Sequence, residues 1–153
     1  MYVICEQFLD CLNRLHDEIS RAVDGLSVEA MDWSPGEGMN SLGVLMAHVA
    51  GSEKHWLGDI VTGTVTDRDR PAEIRTRGRE TANLRKGLDE MHAFARRVVA
   101  DLGPEDLAAE RTAYADGRTM TVGACLLHVL RHTALHTGHM QITRQLWDAR
   151  SSA

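Results

Sequence analysis

Apolar residues recur at alternating intervals of four and three in four segments of this chain. The segments cover roughly residues 2–26, 41–61, 84–102 and 122–146. This spacing places the apolar side chains of each segment on one face of an α-helix. Little strand-like alternation lies between them. Four amphipathic helices of this length predict an all-α fold, a four-helix bundle with long crossover connections.

Short polar and helix-breaking residues mark the predicted helix ends. Asn40 or Ser41 can cap the second helix and Thr121 the fourth, because a short polar side chain at that position accepts from the first free amides. Gly103 followed by Pro104 ends the third helix. The sequence thus separates the four helices without an internal repeat, and we expect a single domain over residues 1–153.

The connections between the helices are predicted to differ in structure. Residues 27–40 read as a loop with a short helical turn, and residues 62–76 as a polar segment long enough to cross the bundle. In residues 104–120, Asp116-Gly117 lies between alternating residues and predicts a small hairpin. Connections of this length permit arrangements other than a simple up-down-up-down bundle.

Composition excludes several classes of protein. A formal charge of −5 and a pI near 5.9 argue against a broad nucleic-acid surface. The N-terminal residues lack a signal-peptide pattern, and no apolar run reaches membrane-spanning length. Cys5, Cys11 and Cys125 form no CxxC motif, so neither a disulfide framework nor a thiolate zinc site is indicated. We expect a soluble cytoplasmic protein that binds neither nucleic acid nor membranes.

Half of the eight histidines fall within the fourth helical segment, at His128, His132, His136 and His139. His132 and His136 are four residues apart, so their rings project from one helix face and can converge on one ion. Both occupy positions of the predicted core face, where an imidazole is costly unless something binds it. Clustered neutral imidazoles commonly bind a transition metal.

A third ligand must come from another helix. His48 lies at the edge of the buried face of the second helix, whereas His55 lies nearer its exposed side, so His48 is the better candidate. Three imidazoles with an open coordination position are typical of a catalytic zinc site. The sequence therefore predicts a metal site formed by His48, His132 and His136, in which nickel, iron or copper would also fit.

The remaining histidines and one carboxylate have weaker assignments. His139 is predicted either to contact a ligand from outside the coordination sphere or to line a pore, and His128 to be solvated. His16 and His92 are assigned to the helix surfaces. Glu53 is a candidate base or outer partner of the metal site, although an ordinary surface carboxylate is the favoured alternative. The tryptophans are expected to serve packing: Trp33, Trp56 and Trp147.

Two segments resemble a known family. LMAHVAGSEKHWL in the second helix and HVLRHTALHTGHMQITRQLW in the fourth are similar to the DinB-like, or YfiT-like, superfamily of metalloenzymes, and the order of elements matches along almost the whole chain. The resemblance implies a four-helix bundle and a divalent metal, zinc or nickel, held by His48, His132 and His136. Many members continue with Arg-Gly-Gln where this chain has Thr137-Gly138-His139, so any role of that Arg does not transfer.

Characterised relatives use mycothiol, bacillithiol or glutathione, so the resemblance implies a metal-dependent thiol S-transferase acting on a small electrophile. A coordinated thiol is deprotonated at neutral pH, which makes this chemistry reasonable for an open three-histidine site. Three alternatives remain open: a metal-dependent hydrolase, a non-enzymatic metal-binding stress-response protein, and a metal-free bundle. We expect a homodimer that packs through helix faces.

Overall fold

The computed structural model describes residues 1–112 and 117–150. The helices are α1 (Val3–Ala22), α2 (Val28–Asp32), α3 (Leu42–Lys54), α4 (Arg70–Ile74), α5 (Thr81–Val99), α6 (Pro104–Ala108) and α7 (Val122–Arg150). A π-helical segment, His55–Thr62, continues α3, and β1 (Glu110–Thr112) pairs with β2 (Thr119–Thr121) as a short antiparallel hairpin. No helix in these two ranges is long and apolar enough to span a bilayer.

The four long helices form the predicted bundle. α1 packs against α5 and α7, and α3 packs against the same two helices. Consecutive long helices α1 and α3 therefore lie diagonally across the bundle, as do α5 and α7. This order requires connections that cross an end of the bundle, which confirms the prediction of a crossover arrangement.

The predicted helix boundaries are largely confirmed. Ser41 caps α3, its side chain accepting from the amide of Val44, and Thr121 accepts from the amide of Ala124 in the same way. The first helix is shorter than predicted. It ends at Ala22, and the chain then turns through Gly25, whose φ of 69° lies in the left-handed region that favours glycine.

The predicted hairpin in residues 104–120 is present, since Arg111 pairs with Met120. Asp116 lies outside the described residues. Gly117, at the edge of the described part, has a φ of 69°. The structure adds two short helices to the predicted loops, α4 within residues 62–76 and α6 at Pro104, each with proline in its first turn.

Two apolar clusters form the core at opposite ends of the bundle. The tryptophans serve packing as predicted: Trp56 is buried in the first cluster, and Trp33 contacts Trp147 edge-on at 5.7 Å. Representative buried residues are Phe8, Leu12, Trp56, Val99 and Val129 in the first cluster, and Ile19, Leu45, Val49, Leu88 and Met140 in the second.

A layer of polar side chains separates the two clusters, and each long helix contributes to it. We call His16, Glu53, His92 and Thr133 the polar layer. His16 Nε2–H donates to both oxygens of Glu53 at 3.0 Å, and the Thr133 hydroxyl donates to Glu53 Oε1 at 2.8 Å. The polar layer therefore ties α1, α3 and α7 together at mid-height.

The assignments of His16 and Glu53 to the surface are wrong. His16 is 6% exposed and Glu53 is 1% exposed, so Nε2 of His16 and the Glu53 carboxylate are hydrogen-bonded to each other inside the bundle. His92 was also predicted to lie on the surface, but it is half-buried and its ring meets that of His16 edge-on. Burial, followed by the proximity of His16, lowers the pKa of His92. The apolar periodicity could not reveal this pairing because the partners lie on different helices.

The core face of α7 also differs from the prediction. In its middle, Thr133, Thr137 and Met140 are buried, whereas His132 and His136 lie half-buried beside them. The Thr137 hydroxyl donates to the carbonyl of Thr133, so this polar residue is satisfied within its own helix. The two histidines consequently lie beside the buried face of α7, where they meet His48 of α3.

Candidate metal centre

Three imidazoles converge between α3 and α7. His48 of α3 and His132 and His136 of α7 each offer a ring nitrogen, and these atoms lie within 4.8 Å of one another. His48 Nε2 and His132 Nε2 are 3.2 Å apart. The i, i+4 spacing of the α7 pair brings their ring centroids to 4.5 Å. The structure thus brings together the three residues that the sequence singled out as ligands, and the group could hold a metal ion.

Glu73 of α4 fixes the orientation of the His48 ring. Its Oε2 accepts from His48 Nδ1–H at 3.0 Å, which leaves Nε2 unprotonated and facing the α7 histidines. Arg68 donates to both Glu73 oxygens, at 2.7 and 2.9 Å. Burial alone would raise the pKa of Glu73, but the hydrogen bonds and charges of Arg68 and His48 outweigh it and the pKa is lowered. Glu73 is therefore a carboxylate at neutral pH.

Glu73 and Arg68 were not identified from the sequence. Both lie in the polar connection that follows the second helix, at a distance from His48 that no helical period specifies. A carboxylate in such a connection resembles any solvated residue. Only the folded position of α4 against α3 reveals its role.

A glycine on α3 makes room for Glu73. A Cβ atom added at Gly51 would overlap the Glu73 carboxylate. Gly51 is three residues after His48 and so lies beside it on the helix. The absence of a side chain there allows the carboxylate to reach His48.

We expect Gly51→Ala to weaken metal binding about 10- to 100-fold, because displacing Glu73 removes the hydrogen bond that orients His48. Isothermal titration of the metal-free protein with Zn²⁺ measures this. The matched control is Gly87→Ala on α5, where a Cβ would meet nothing within 4 Å. Equal affinities for the Gly51 variant and wild type would contradict the role of Glu73.

The other histidines of α7 flank the cluster. His139 is exposed, and its Nδ1 lies 3.4 Å from Nδ1 of His136. His139 therefore contacts one of the three candidate metal ligands without being one itself. His128 was predicted to be solvated, but it is half-buried and its ring packs on Trp56 with centroids 4.2 Å apart. Neither residue belongs to the converging group.

Two further candidates lie away from the converging nitrogens. His55 is bound to Asp59, at 2.6 Å, and does not join the cluster. Glu53, considered above as a base or outer partner, is instead committed to His16 and Thr133. Glu53 is connected to the cluster only indirectly, because it accepts a hydrogen bond from Thr133, the residue that follows His132.

The α7 histidines of the cluster are neutral at physiological pH. Burial, followed by the neighbouring imidazoles and by Arg68, lowers the pKa of His132 to about 3. Burial and the proximity of His48 and His139 lower the pKa of His136 to about 4. Neutral imidazoles keep the lone pairs that a metal ion requires.

These shifts predict that acid destabilises the metal-free protein. The pKa of each ring is about 3 or 4 in the folded protein and 6.5 in the unfolded chain, so its full contribution to the free energy of unfolding is present above pH 6.5. That contribution is lost as the pH falls toward the folded pKa. We expect each ring to cost about 1–2 kcal/mol of unfolding free energy between pH 7.5 and 5, after solvent screening.

Urea unfolding in the presence of a chelator measures this dependence. The double variant His132→Gln/His136→Gln should show a smaller loss over the same interval, since glutamine does not titrate. If the free energy of unfolding changed equally with pH in the double variant and in wild type, the lowered pKa values of His132 and His136 would be contradicted. The window above pH 5 avoids titration of the carboxylates with lowered pKa, Glu73 and Asp59.

The donor set fits a divalent transition metal. Two nitrogens bound to one ion at about 2.1 Å lie roughly 3.0–3.4 Å apart in octahedral or tetrahedral geometry. The 3.2 Å between His48 Nε2 and His132 Nε2 falls in that range. Without an ion, two bare imidazole nitrogens at this distance could be satisfied only by sharing a proton. The carboxylate behind His48 is the usual outer partner of a metal-bound histidine.

The family model of the DinB superfamily matches residues 12–140. The chain belongs to the DinB superfamily. The matched range includes all three histidines of the cluster and the Glu73–Arg68 pair. No curated protein matches the chain.

Solved structures show the same fold at low sequence identity. A conserved protein from Enterococcus faecalis superimposes with a TM-score of 0.75 at 18% identity, covering 97% of this chain and 99% of its own. A DinB-like protein from Bacillus cereus gives 0.73 at 18% identity, covering 92% and 90%. A mycothiol-dependent maleylpyruvate isomerase gives 0.62 at 20% identity, with 87% of this chain and 59% of that chain covered.

Proposed function

We propose that this protein is a metal-dependent transferase that joins a low-molecular-weight thiol to a small electrophile, with zinc or nickel as the metal. The convergence of His48, His132 and His136 carries the proposal. When bound there, a divalent ion would supply Lewis acidity that makes a coordinated thiol a thiolate at neutral pH. The membership of the chain in the DinB superfamily, and the ability of its three histidines to hold a metal, do not depend on which reaction is catalysed.

The residues of the chain have defined tasks in this proposal. His132 and His136 offer neutral lone pairs, and Glu73 keeps the His48 proton on Nδ1 so that Nε2 is available. Arg68 neutralises the Glu73 carboxylate and thereby holds it in place. The three protein ligands come from α3 and α7, which leaves at least one coordination position of a bound ion for a thiol.

The choice of a thiol as the reactant is supported by one structural neighbour, the isomerase that depends on mycothiol. Its likeness to this chain is one of fold. We extend thiol dependence to this chain because an open imidazole site suits a soft sulfur ligand.

Thiol consumption tests the proposal. The protein loaded with Zn²⁺ or Ni²⁺ is incubated with mycothiol, bacillithiol or glutathione and a slow generic electrophile, and loss of thiol is followed with and without a chelator. We expect chelator-sensitive loss with at least one thiol, and none above background in His132→Ala. Bound metal with no thiol loss for any of the three would overturn the transferase and favour a metal-binding protein without this activity.

The geometry gives no support to the hydrolase alternative. A hydrolase needs only water at the open coordination position, but a carboxylate base close to the metal would favour it, and Glu53 was the sequence candidate. Glu53 is enclosed in the polar layer, and Glu73 is bound to Arg68 and His48. Within residues 1–112 and 117–150, these two buried glutamates are both committed to other partners.

We further propose that the protein is a homodimer. Four large apolar side chains are exposed along one side of α7, spaced by eight, seven and four residues, as a helix face requires. Light scattering would detect the dimer, and Leu135→Lys should shift it toward the monomer. A wild-type monomer at 50–100 µM, roughly the range in which weak dimers form, would overturn it. The side chains are Leu127, Leu135, Ile142 and Leu146.

A further inference from the structure

A third histidine–carboxylate pair, after His16–Glu53 and His48–Glu73, lies on the π-helical segment. His55 Nδ1 lies 2.6 Å from Asp59 Oδ2. Thr66 holds the same carboxylate from the other side: its amide N–H donates to Oδ1 at 2.6 Å and its hydroxyl to Oδ2 at 3.0 Å. Burial alone would raise the pKa of Asp59, but the hydrogen bonds from His55 and Thr66 outweigh it and the pKa is lowered. Asp59 is thus an oriented carboxylate.

The π-helix and a glycine both contribute to this arrangement. A π-helical turn is rare and occurs frequently at functional sites. This one begins at His55 itself. A Cβ at Gly58 would overlap the Thr66 methyl group, so glycine allows Thr66 to reach Asp59. An ordinary exposed i, i+4 pair needs no such support, whereas His55 and Asp59 are only 18% and 16% exposed.

The hydrogen bond to Asp59 sets the tautomer of His55. Nδ1–H donates to the carboxylate, which leaves Nε2 as the nitrogen that can take up or release a proton. Nε2 has no hydrogen-bond partner in the described part of the chain. It is not among the buried unpartnered ring nitrogens there, which belong to His16 and His92, so it is accessible to solvent.

His55 and Arg68 line one cavity, and Arg68 links that cavity to His48 of the metal cluster. The cavity measures about 490 Å³. Arg68 lines it and also lies 3.4 Å, through Nη2, from His48 Nδ1. His55 follows His48 by seven residues, two helical turns or roughly 10 Å along the same face. Arg68 is thus a neighbour of both the cavity and the His48 ring. The cavity lining includes His55, Asp59, Val65, Asp67, Arg68 and Arg70.

We propose that His55 is an acid–base residue of this site, exchanging a proton at Nε2 with a substrate in the cavity, while Asp59 and Thr66 position it. The assignment rests on the proposed thiol transfer. With His55 in this role, the electrophile is one that adds a thiol across a multiple bond. That bond is either a carbonyl group or a carbon–carbon double bond conjugated to a carbonyl group. An electrophile that expels a halide needs no such proton.

The proton balance of the step is complete. The thiol releases its proton to solvent, and its sulfur forms a bond to carbon as the multiple bond breaks. The displaced electron pair moves to the oxygen-bearing end, which takes the proton from Nε2 of the His55 imidazolium. His55 then regains a proton from solvent, which received the proton of the thiol, and Asp59 keeps the ring oriented through Nδ1. No oxidant or reductant is required.

Nitrogen NMR of the metal-free protein tests the tautomer without any activity. At pH 8 we expect the neutral ring of His55 to carry its proton on Nδ1, with the signal assigned by its loss in His55→Gln. In Asp59→Leu the proton should move toward Nε2. A wild-type ring protonated on Nε2 would overturn the proposal, and this measurement decides even if the Asp59 variant fails to fold.

Kinetics with two electrophiles test the chemistry in the metal-loaded protein. We compare thiol addition to 2-cyclohexenone with displacement of iodide from iodoacetamide. In His55→Gln the ratio of addition to displacement kcat/KM should fall about 100-fold, whereas Lys86→Gln on α5 should leave it at the wild-type value. A purely structural role would lower both reactions equally and would overturn the proposal. A wild type inactive on both electrophiles would instead refute the thiol transferase, and the role of His55 would fall with it.

Discussion

Replacing His132 with alanine is expected to lower the affinity for Zn²⁺ or Ni²⁺ about 100- to 1000-fold. Zinc binding at a protein site is worth about 10–16 kcal/mol over four ligands, so one ligand contributes about 2.5–4 kcal/mol, and every 1.4 kcal/mol is a factor of ten. His132 is central to the cluster, with Nε2 3.2 Å from His48 Nε2 and its ring 4.5 Å from that of His136. Its removal leaves two imidazoles that no longer surround an ion.

Competition with a chromophoric chelator measures the affinity in protein purified without a histidine tag. The matched control is His128→Gln, which alters a histidine one turn away on the same helix that packs on Trp56. We expect the control to retain nearly the wild-type affinity. A similar loss in both variants would show that binding depends on the histidine content of α7 in general. A small loss in His132→Ala alone would show that the three-histidine cluster is not the metal site.

Replacing His16 with alanine is expected to lower the free energy of unfolding by about 3–5 kcal/mol at pH 7. The variant leaves Glu53, which is 1% exposed, with the Thr133 hydroxyl as its remaining hydrogen-bond donor. A buried carboxylate that loses its cationic or N–H partner keeps the full cost of its desolvation. Urea unfolding of the metal-free protein gives the value.

Two further variants separate the polar contribution from simple loss of volume. His16→Gln keeps an N–H donor and should lose less stability than His16→Ala. The double variant His16→Leu/Glu53→Met removes both polar partners and should also be more stable than His16→Ala, since replacing a whole buried pair by apolar groups is often nearly neutral. Lys86→Ala, which breaks an exposed pair with Glu90 at 3.8 Å, should change stability by less than about 0.5 kcal/mol. A His16→Ala variant as stable as wild type would refute the importance of the polar layer.

The sequence was sufficient to predict features that depend on local periodicity. The four helices, the caps at Ser41 and Thr121 and the i, i+4 pair His132–His136 are set by residues close in the chain. His48 was identified because its place beside a buried helix face is also a local property. These predictions hold because helical geometry relates residue spacing directly to position on a face.

The features that the sequence did not reveal depend on contacts between distant segments. Glu73 reaches His48 across 25 residues, and Glu53 meets Thr133 across 80. A periodicity rule assigns a charged residue to the surface unless its partner is known. His16 was misassigned for that reason, and His132 and His136 were placed on the core face although Thr133 and Thr137 occupy it. The π-helical register also depends on packing that no propensity of His55–Thr62 indicates.

The two helix glycines have a consequence for how such chains can be compared. His48 and His55 are each followed three residues later by a glycine, in His48-Val49-Ala50-Gly51 and His55-Trp56-Leu57-Gly58. Gly51 leaves room for Glu73, which binds the His48 ring directly. Gly58 leaves room for Thr66, which binds the Asp59 carboxylate that in turn binds His55. In this chain, the spacing His-x-x-Gly therefore accompanies an oriented imidazole at both His48 and His55. In related chains, a larger residue at either glycine would indicate a histidine that has lost its orienting partner.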